Sequence, residues 1–164
     1  MNERRQKQLG SLKKWLGDNW GYPDSQISIN ETKEEKNLSD KDLKNASKKY
    51  AKDNFQGKKY FNPSAGREIL VSRDGLDKWD SITKSREQSI SIKKLDRLLE
   101  NCQKTGISSD NKERKSVDGF TYFEHPINVN ENQYAAKIAT KETNNGENSK
   151  YYYHFLEDKK NEPN

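Results

Sequence analysis

The sequence predicts an α+β fold: a small antiparallel β-sheet of about four strands, ending as a C-terminal meander, packed on one main helix and preceded by a polar helical arm. Three observations predict it. Residues 134–142 and 151–156 alternate in strand fashion around Asn144-Asn145-Gly146-Glu147, whose Asn-Gly pair supplies the positive backbone angles of a tight hairpin. Residues 86–103 carry Ile92, Leu95, Leu98, Leu99 and Cys102 at helical spacing. Near residue 60 a tract of Lys, Glu, Asp and Asn gives way to segments with apolar periodicity. A strand, a helix and then a meander place the helix on one side of an antiparallel sheet.

In chain order, residues 1–20 read as an amphipathic helix with Leu9, Leu12 and Leu16 on one side and Lys13 and Lys14 opposite. Gly21-Tyr22-Pro23-Asp24 ends it, because Pro23 lacks an amide donor and disfavours helical geometry at Tyr22. Ile27-Ser28-Ile29 alternates but is brief. Ser39 caps a second helix carrying Leu43, Ala46, Tyr50 and Ala51 on one side, with little to bury. Residues 1–59 are thus expected to form a polar helical arm and linker, 60–158 the main domain, and 159–164 a disordered tail. In the main domain, residues 67–72 form a strand bounded by Pro63 and Gly66 before it and Asp74-Gly75 after it. Ser85 and Gln88 fit a capping box opening the helix 86–103, and Thr105-Gly106 closes it. Residues 107–118 read as a polar loop. Residues 120–123 and 127–129 are strand-prone, Pro126 marks an edge or a bend, and Asn130-Glu131-Asn132 is a turn.

Only 29% of the 164 residues are hydrophobic and 35% are charged. The mean hydropathy of −1.35 is low for a globular chain of this size. A net charge of +5 points mildly to a polyanionic partner. Cys102, as the one cysteine, excludes an intramolecular disulfide and reads as a buried structural thiol. No apolar run reaches membrane-spanning length, so no membrane partner is expected. Met1-Asn2-Glu3-Arg4-Arg5 has no apolar run after it, so no signal peptide is expected and the place of action is the cytoplasm of a producing or target bacterial cell. Walker-type, Gly-x-Gly-x-x-Gly and His-Glu-x-x-His motifs and carboxylate-rich metal signatures are missing from the sequence, so no cofactor and no metal are expected.

The chemistry-bearing residues gather in the last quarter. His125 and His154 share it with Lys137, Thr140, Lys141 and the triplet Tyr151-Tyr152-Tyr153. Metal-free RNA cleavage needs a base for the 2′-hydroxyl, an acid for the departing 5′-oxygen and donors for the phosphorane oxygens. Histidine titrates near neutrality, lysine stabilises phosphate, and tyrosine donates a proton. Alternation puts Lys137 and Lys141 on one side of their strand among small alanines. Hairpin register decides what joins them. If Tyr152 and His154 do, a basic protonatable site forms. If Tyr151, Tyr153 and Phe155 do, the lysines sit on an aromatic surface suited to stacking bases. Both suit RNA, but only the first suits catalysis.

Residues 61–75, Phe61-Asn62-Pro63-x-x-Gly66-x-Glu68-Ile69-x-Val71-Ser72-Arg73-Asp74-Gly75, carry a family likeness. With Lys78, the helix 86–103, the His125-Pro126 strand, the Val129-Asn130 turn and the strands 134–141 and Tyr153-His154, this pattern resembles a large polyvalent protein-associated domain of the third type over residues 60–158. Such domains occur in multi-domain proteins of phages and conjugative elements. They resemble the fold shared by barnase, EndoU, cytotoxic colicins and RelE, whose sheet face carries an RNase site. The resemblance implies RNase activity or a degenerate binding copy. Its site would draw on His125, Lys137, Thr140, Lys141, Tyr153 and His154, with Arg73 and Lys78 near the approach to the sheet.

Two functions follow as expectations. One is a metal-independent RNA-cleaving or RNA-binding domain of a mobile element, toxin or phage effector. In its enzymatic form His125 or His154 is the base, Lys137 stabilises phosphate and Tyr153 assists protonation; Lys141, Thr140, Arg73, Lys78 and Tyr152 hold nucleic acid. The other is a non-catalytic counter-defence or host-takeover protein that binds a host nucleoprotein through Trp15, Trp20 and Tyr22 of the arm.

Overall fold

The computed structural model describes residues 26–109, 119–143 and 148–158. Two residues set the centre of its sheet. Asn130 and Glu131 adopt positive φ, 52° and 67°, the two-residue turn geometry that matches the twist of paired strands. They join β5 (Gly119–Val129) to β6 (Asn132–Thr143), with Val129 opposite Asn132. β7 (Asn148–Asp158) returns antiparallel along β6, Thr143 opposite Asn148. The expected hairpin residues 144–147 between them lie outside the described residues.

The sheet continues beyond this meander. β1 (Ser28–Ile29) pairs parallel with one end of β5, and β4 (Gln103–Ser109) pairs antiparallel with the other. β3 (Arg67–Leu70) pairs parallel with β7, and β2 (Lys59–Asn62) runs antiparallel to β3. The order is β1-β5-β6-β7-β3-β2, with β4 also on β5. This overturns the expected small antiparallel sheet of about four strands on one main helix: among the described residues the sheet has seven strands, is mixed and is strongly curled into a half-barrel. The physical reason lies in β1, β2 and β4. β1 is two residues whose partner lies far along the chain, β2 is four residues of mixed character and β4 is largely polar, so context rather than local pattern makes them strands. Residues 103–109, read as a helix end and the start of a loop, belong to β4.

Several helices cover one face of the sheet. α1 (Lys33–Lys36) opens with a reciprocal cap: Glu35 N donates to Thr32 Oγ1 at 3.1 Å and Thr32 N to Glu35 Oε1 at 2.9 Å. α2 (Asp40–Asn54) is capped by Ser39, which accepts from Asp42 N. α3 (Arg73–Ile82) starts where the sequence suggested a turn at Asp74-Gly75; Ser72 caps it, and Leu76 and Trp79 are buried. The expected continuous helix over 86–103 is α4 (Arg86–Ser91), a 3-10 turn (Ile92–Lys94) and α5 (Leu95–Asn101). Half of its predicted capping box forms. Ser85 Oγ accepts from Gln88 N, but the Gln88 side chain turns to the sheet and donates to His154 O at 3.1 Å.

One core unites these elements. Ile69, Leu76, Trp79, Ile90, Leu95, Leu98 and Leu99 meet Phe123, Ile127, Ala136 and Ile138 of the sheet. Ile27, Leu43, Ala51 and Phe55, from the segment expected as an arm, enter the same core. The expected N-terminal helix with Trp15, Trp20 and Tyr22, the tail 159–164 and most of the expected loop 107–118 lie outside the described residues. Among the described residues no helix is long and apolar enough to cross a membrane.

A buried amide locks β2 to the end of α5. Asn62 Nδ2 donates to Leu99 O at 2.8 Å and Cys102 O at 3.0 Å, while Asn62 Oδ1 accepts from Ala65 N at 2.8 Å. Cys102 lies beside it, its thiol pushed far up by burial, an inert structural group. Asn62→Ala strands two carbonyls and one amide. It should lower stability by about 1–3 kcal/mol, read as a urea midpoint that falls with the slope unchanged.

Candidate nucleic-acid interface

Alternation from the Asn130-Glu131 turn sorts the C-terminal strands into two faces. Toward the helices point Phe123, His125 and Ile127 of β5, and Ala136, Ile138 and Thr140 of β6. Away from them point Phe120, Tyr122 and Glu124 of β5 with Lys137 and Lys141 of β6. On β7 a bulge falls between the pairs Ala139↔Tyr153 and Thr140↔Tyr151. The extra residue is Tyr152. It turns Tyr151 inward beside His154 and leaves Tyr152 and Tyr153 on the lysine face with Phe155.

Both imidazoles are therefore on the helix side. His154 is 0% exposed and stacks on Trp79, with ring centroids 6.5 Å apart and planes 21° apart. Ser91 Oγ lies 2.8 Å from its Nε2 and Tyr151 OH 2.8 Å from its Nδ1. Ser91 spends its one proton on Gln88 O at 2.7 Å. Nε2 must then donate to Ser91, and Tyr151 must donate to Nδ1. The ring is neutral, and burial pushes its pKa down to about 3. His125 is 3% exposed, and its Nδ1 donates to Pro126 O at 2.7 Å. Burial, with Arg97 nearby adding to it, pushes its pKa down to about 4.

The expected centre of histidine, lysine and tyrosine is thus not assembled. His154 and His125 are beneath the helices, and Lys137 and Lys141 point the opposite way. Thr140 is buried on the helix side too, donating to Glu142 Oε2 at 2.7 Å. Arg73 opens α3 as an exposed side chain.

The structure brings together a different set. Phe120, Tyr152, Tyr153 and Phe155 form a ladder of rings with successive centroids 5.2, 5.3 and 6.3 Å apart. Lys141 Nζ lies 4.8 Å from the centre of the Tyr152 ring, and Lys78 Nζ, reaching from α3, 5.7 Å. Tyr122 flanks the ladder, its OH 3.0 Å from Ser108 Oγ. Burial first, then neighbouring Tyr122 and Tyr152, raise the Tyr153 pKa, so its hydroxyl stays a proton donor at neutral pH. Phe155 is 39% exposed, and Tyr152 and Tyr153 are half-buried.

Charge is divided along this face. Lys137 Nζ sits 2.5 Å from Glu124 Oε2 and 3.4 Å from Glu157 Oε1, and these carboxylates hold its pKa up. One lysine between two carboxylates leaves that end acidic. The other end carries Lys141, Lys78 and Lys150, the last opposite Lys141 in register. Positive charge thus gathers at the Lys141 end of the face and negative charge at the Lys137 end. Sequence reasoning missed Glu124, although the signal was present: counting back from a two-residue turn after Val129 pairs Glu124 with Lys137. It also missed Lys150 and the part Phe120 plays.

A family profile described as large polyvalent protein-associated domain 3 matches residues 39–153. The chain belongs to this family. The match begins at Ser39, the cap of α2, so the domain includes a helix that the sequence pattern had left in the arm. It runs through Tyr152 and Tyr153, so most of the ring ladder belongs to the domain. Comparison with curated proteins and with solved structures finds no match.

Proposed function

We propose that this large polyvalent protein-associated domain binds single-stranded RNA on the open sheet face, in the service of a phage or other mobile element. The observation that carries the reading is the ring ladder Phe120–Tyr152–Tyr153–Phe155, with the ammonium groups of Lys141 and Lys78 over Tyr152. Base–aromatic stacking contributes roughly 1–3 kcal/mol per base and tolerates any sequence. Lysines beside the rings supply the phosphate contacts that stacking lacks. The neutral, buried imidazoles cannot reach a 2′-hydroxyl, so the geometry favours binding over histidine-driven cleavage.

The test is titration of a fluorescent single-stranded oligoribonucleotide across a salt series, with a duplex and a DNA strand of the same sequence alongside. Salt-sensitive binding of the single strand above the duplex is the expected result. Lys141→Gln should weaken it several-fold and lower the salt slope by about 0.7, the value for one single-strand phosphate. Equal binding of single strand and duplex, or a slope unmoved by Lys141→Gln, overturns the reading. So does metal-free cleavage lost in His154→Phe while fold and binding persist.

A further inference from the structure

Strands β3 and β7 meet at one register position, Leu70 opposite Lys150. Where they part, a cleft of about 290 Å³ opens. Ligand sites run from roughly 300 to 1,000 Å³, so it has room for a phosphate group and its water. Lys59, Arg67 and Lys150 line it against a single carboxylate, Glu68, with Leu70 and Ser149 between them. The carboxylate behind the wall is already engaged. Arg67 Nη1 donates to Glu142 Oε1 at 2.7 Å, Ser149 Oγ donates to the same oxygen, and Thr140 Oγ1 donates to Oε2. Arg67 Nη1 also lies 3.4 Å from Ser149 Oγ. The guanidinium is held in one orientation at the cleft wall, yet 41% of its side chain is exposed.

Two flexible ammonium groups, Lys59 and Lys150, are point charges that recognise phosphate, and Arg67, held by Glu142 and Ser149, forms the wall beside them. Because Glu142 already fixes the arginine, only the two lysines remain to be ordered on binding. The cleft also joins the ring ladder. Lys150 faces Lys141 across the β6–β7 pair and precedes Tyr152 by two positions, roughly 7 Å along a strand. Resting on the RNA reading above, we propose that the β3–β7 cleft is a phosphate pocket. It holds a phosphate of the same strand whose bases stack on Tyr152 and Tyr153, and so anchors that strand at the basic end of the face.

The experiment compares the full chain with its Lys59→Gln/Lys150→Gln double variant. The probe is an octauridylate labelled at its 3′ end, with and without a 5′-phosphate. The double variant should bind at least tenfold more weakly, with a salt slope lower by about 1.4, twice the single-strand value per phosphate. Lys84→Gln, an exposed lysine between α3 and α4, should behave as the wild type. Equal losses for the two probes assign a backbone phosphate, and a larger loss for the phosphorylated probe assigns a terminal one. Wild-type affinity and slope in the double variant, while Lys141→Gln still weakens binding, overturn the cleft and leave the RNA reading standing. In parallel, inorganic phosphate is titrated against the wild type and followed at the Ser149 and Lys150 amides by NMR. Shifted amides in a chain that binds no RNA keep the cleft and sink the RNA reading; unmoved amides in such a chain sink both.

Discussion

Acidification from pH 7 to pH 5 should remove about 4 kcal/mol of stability from the folded chain. His154 and His125 have folded pKa values pushed down by burial to about 3 and about 4. In the unfolded chain both return to about 6.5. Between those limits the unfolded state takes up protons that the fold refuses, so stability rises with pH there and is lost as pH falls. With both rings contributing, the slope approaches about 2.7 kcal/mol per pH unit around pH 5. Because domains of this size are stable by only about 5–15 kcal/mol, the two imidazoles alone remove much of the margin. Urea unfolding at half-unit pH steps measures the slope, and His125→Leu should halve it. A flat profile between pH 6.5 and pH 4.5 would mean that the imidazoles meet water in the native state, and the catalytic reading of His154 would return.

Gly75→Ala should destabilise by about 3 kcal/mol or more, although alanine is normally the better helix residue by up to about 1 kcal/mol. A Cβ at position 75 would stand 2.0 Å from the carbonyl oxygen of Tyr151 and 2.9 Å from its carbon. Both are backbone atoms of β7, so neither can swing aside. Either α3 lifts from the sheet, uncovering Trp79 and His154, or β7 gives up its bulge. Lifting α3 also carries Lys78 away from Tyr152, so the RNA affinity proposed above should fall with stability. Gly106→Ala is the control, since nothing lies within 4 Å of a Cβ there. Thermal melts of the two variants decide the matter, and a Gly75→Ala melt at or above wild type refutes the close approach of α3 to β7.

The meander was legible because long strands with nearly regular alternation and a tight turn carry their pairing in local sequence. The seven-stranded sheet was not. Ser28-Ile29 and 103–109 become strands through β5, and α3 hid behind Asp74-Gly75, a pair that reads as a turn but here falls within a helix whose Leu76 and Trp79 are buried. The site was half legible. Lysines and tyrosines were seen to share one region, and the alternatives of register were the right question. The answer mixed the two, because a single bulge places Tyr152 with Tyr153 and sends Tyr151 inward with His154. No spacing rule announces a bulge; packing of Tyr151 against α3 and His154 accompanies it. The Glu124–Lys137–Glu157 cluster shows the converse, a cation that looked available and is neutralised by neighbours on adjacent strands.

The parallel pairings have a kinetic consequence. Ser28 cannot find its sheet partner until Asn128 has been synthesised, and Leu70 waits for Lys150. Such distant pairings make folding slow and leave strand edges uncovered meanwhile. A nascent chain that has reached only α5 holds its helices and the β2–β3 pair without the long strands they pack on, so a stalled or truncated product should aggregate or be degraded rather than persist as a half-working fragment.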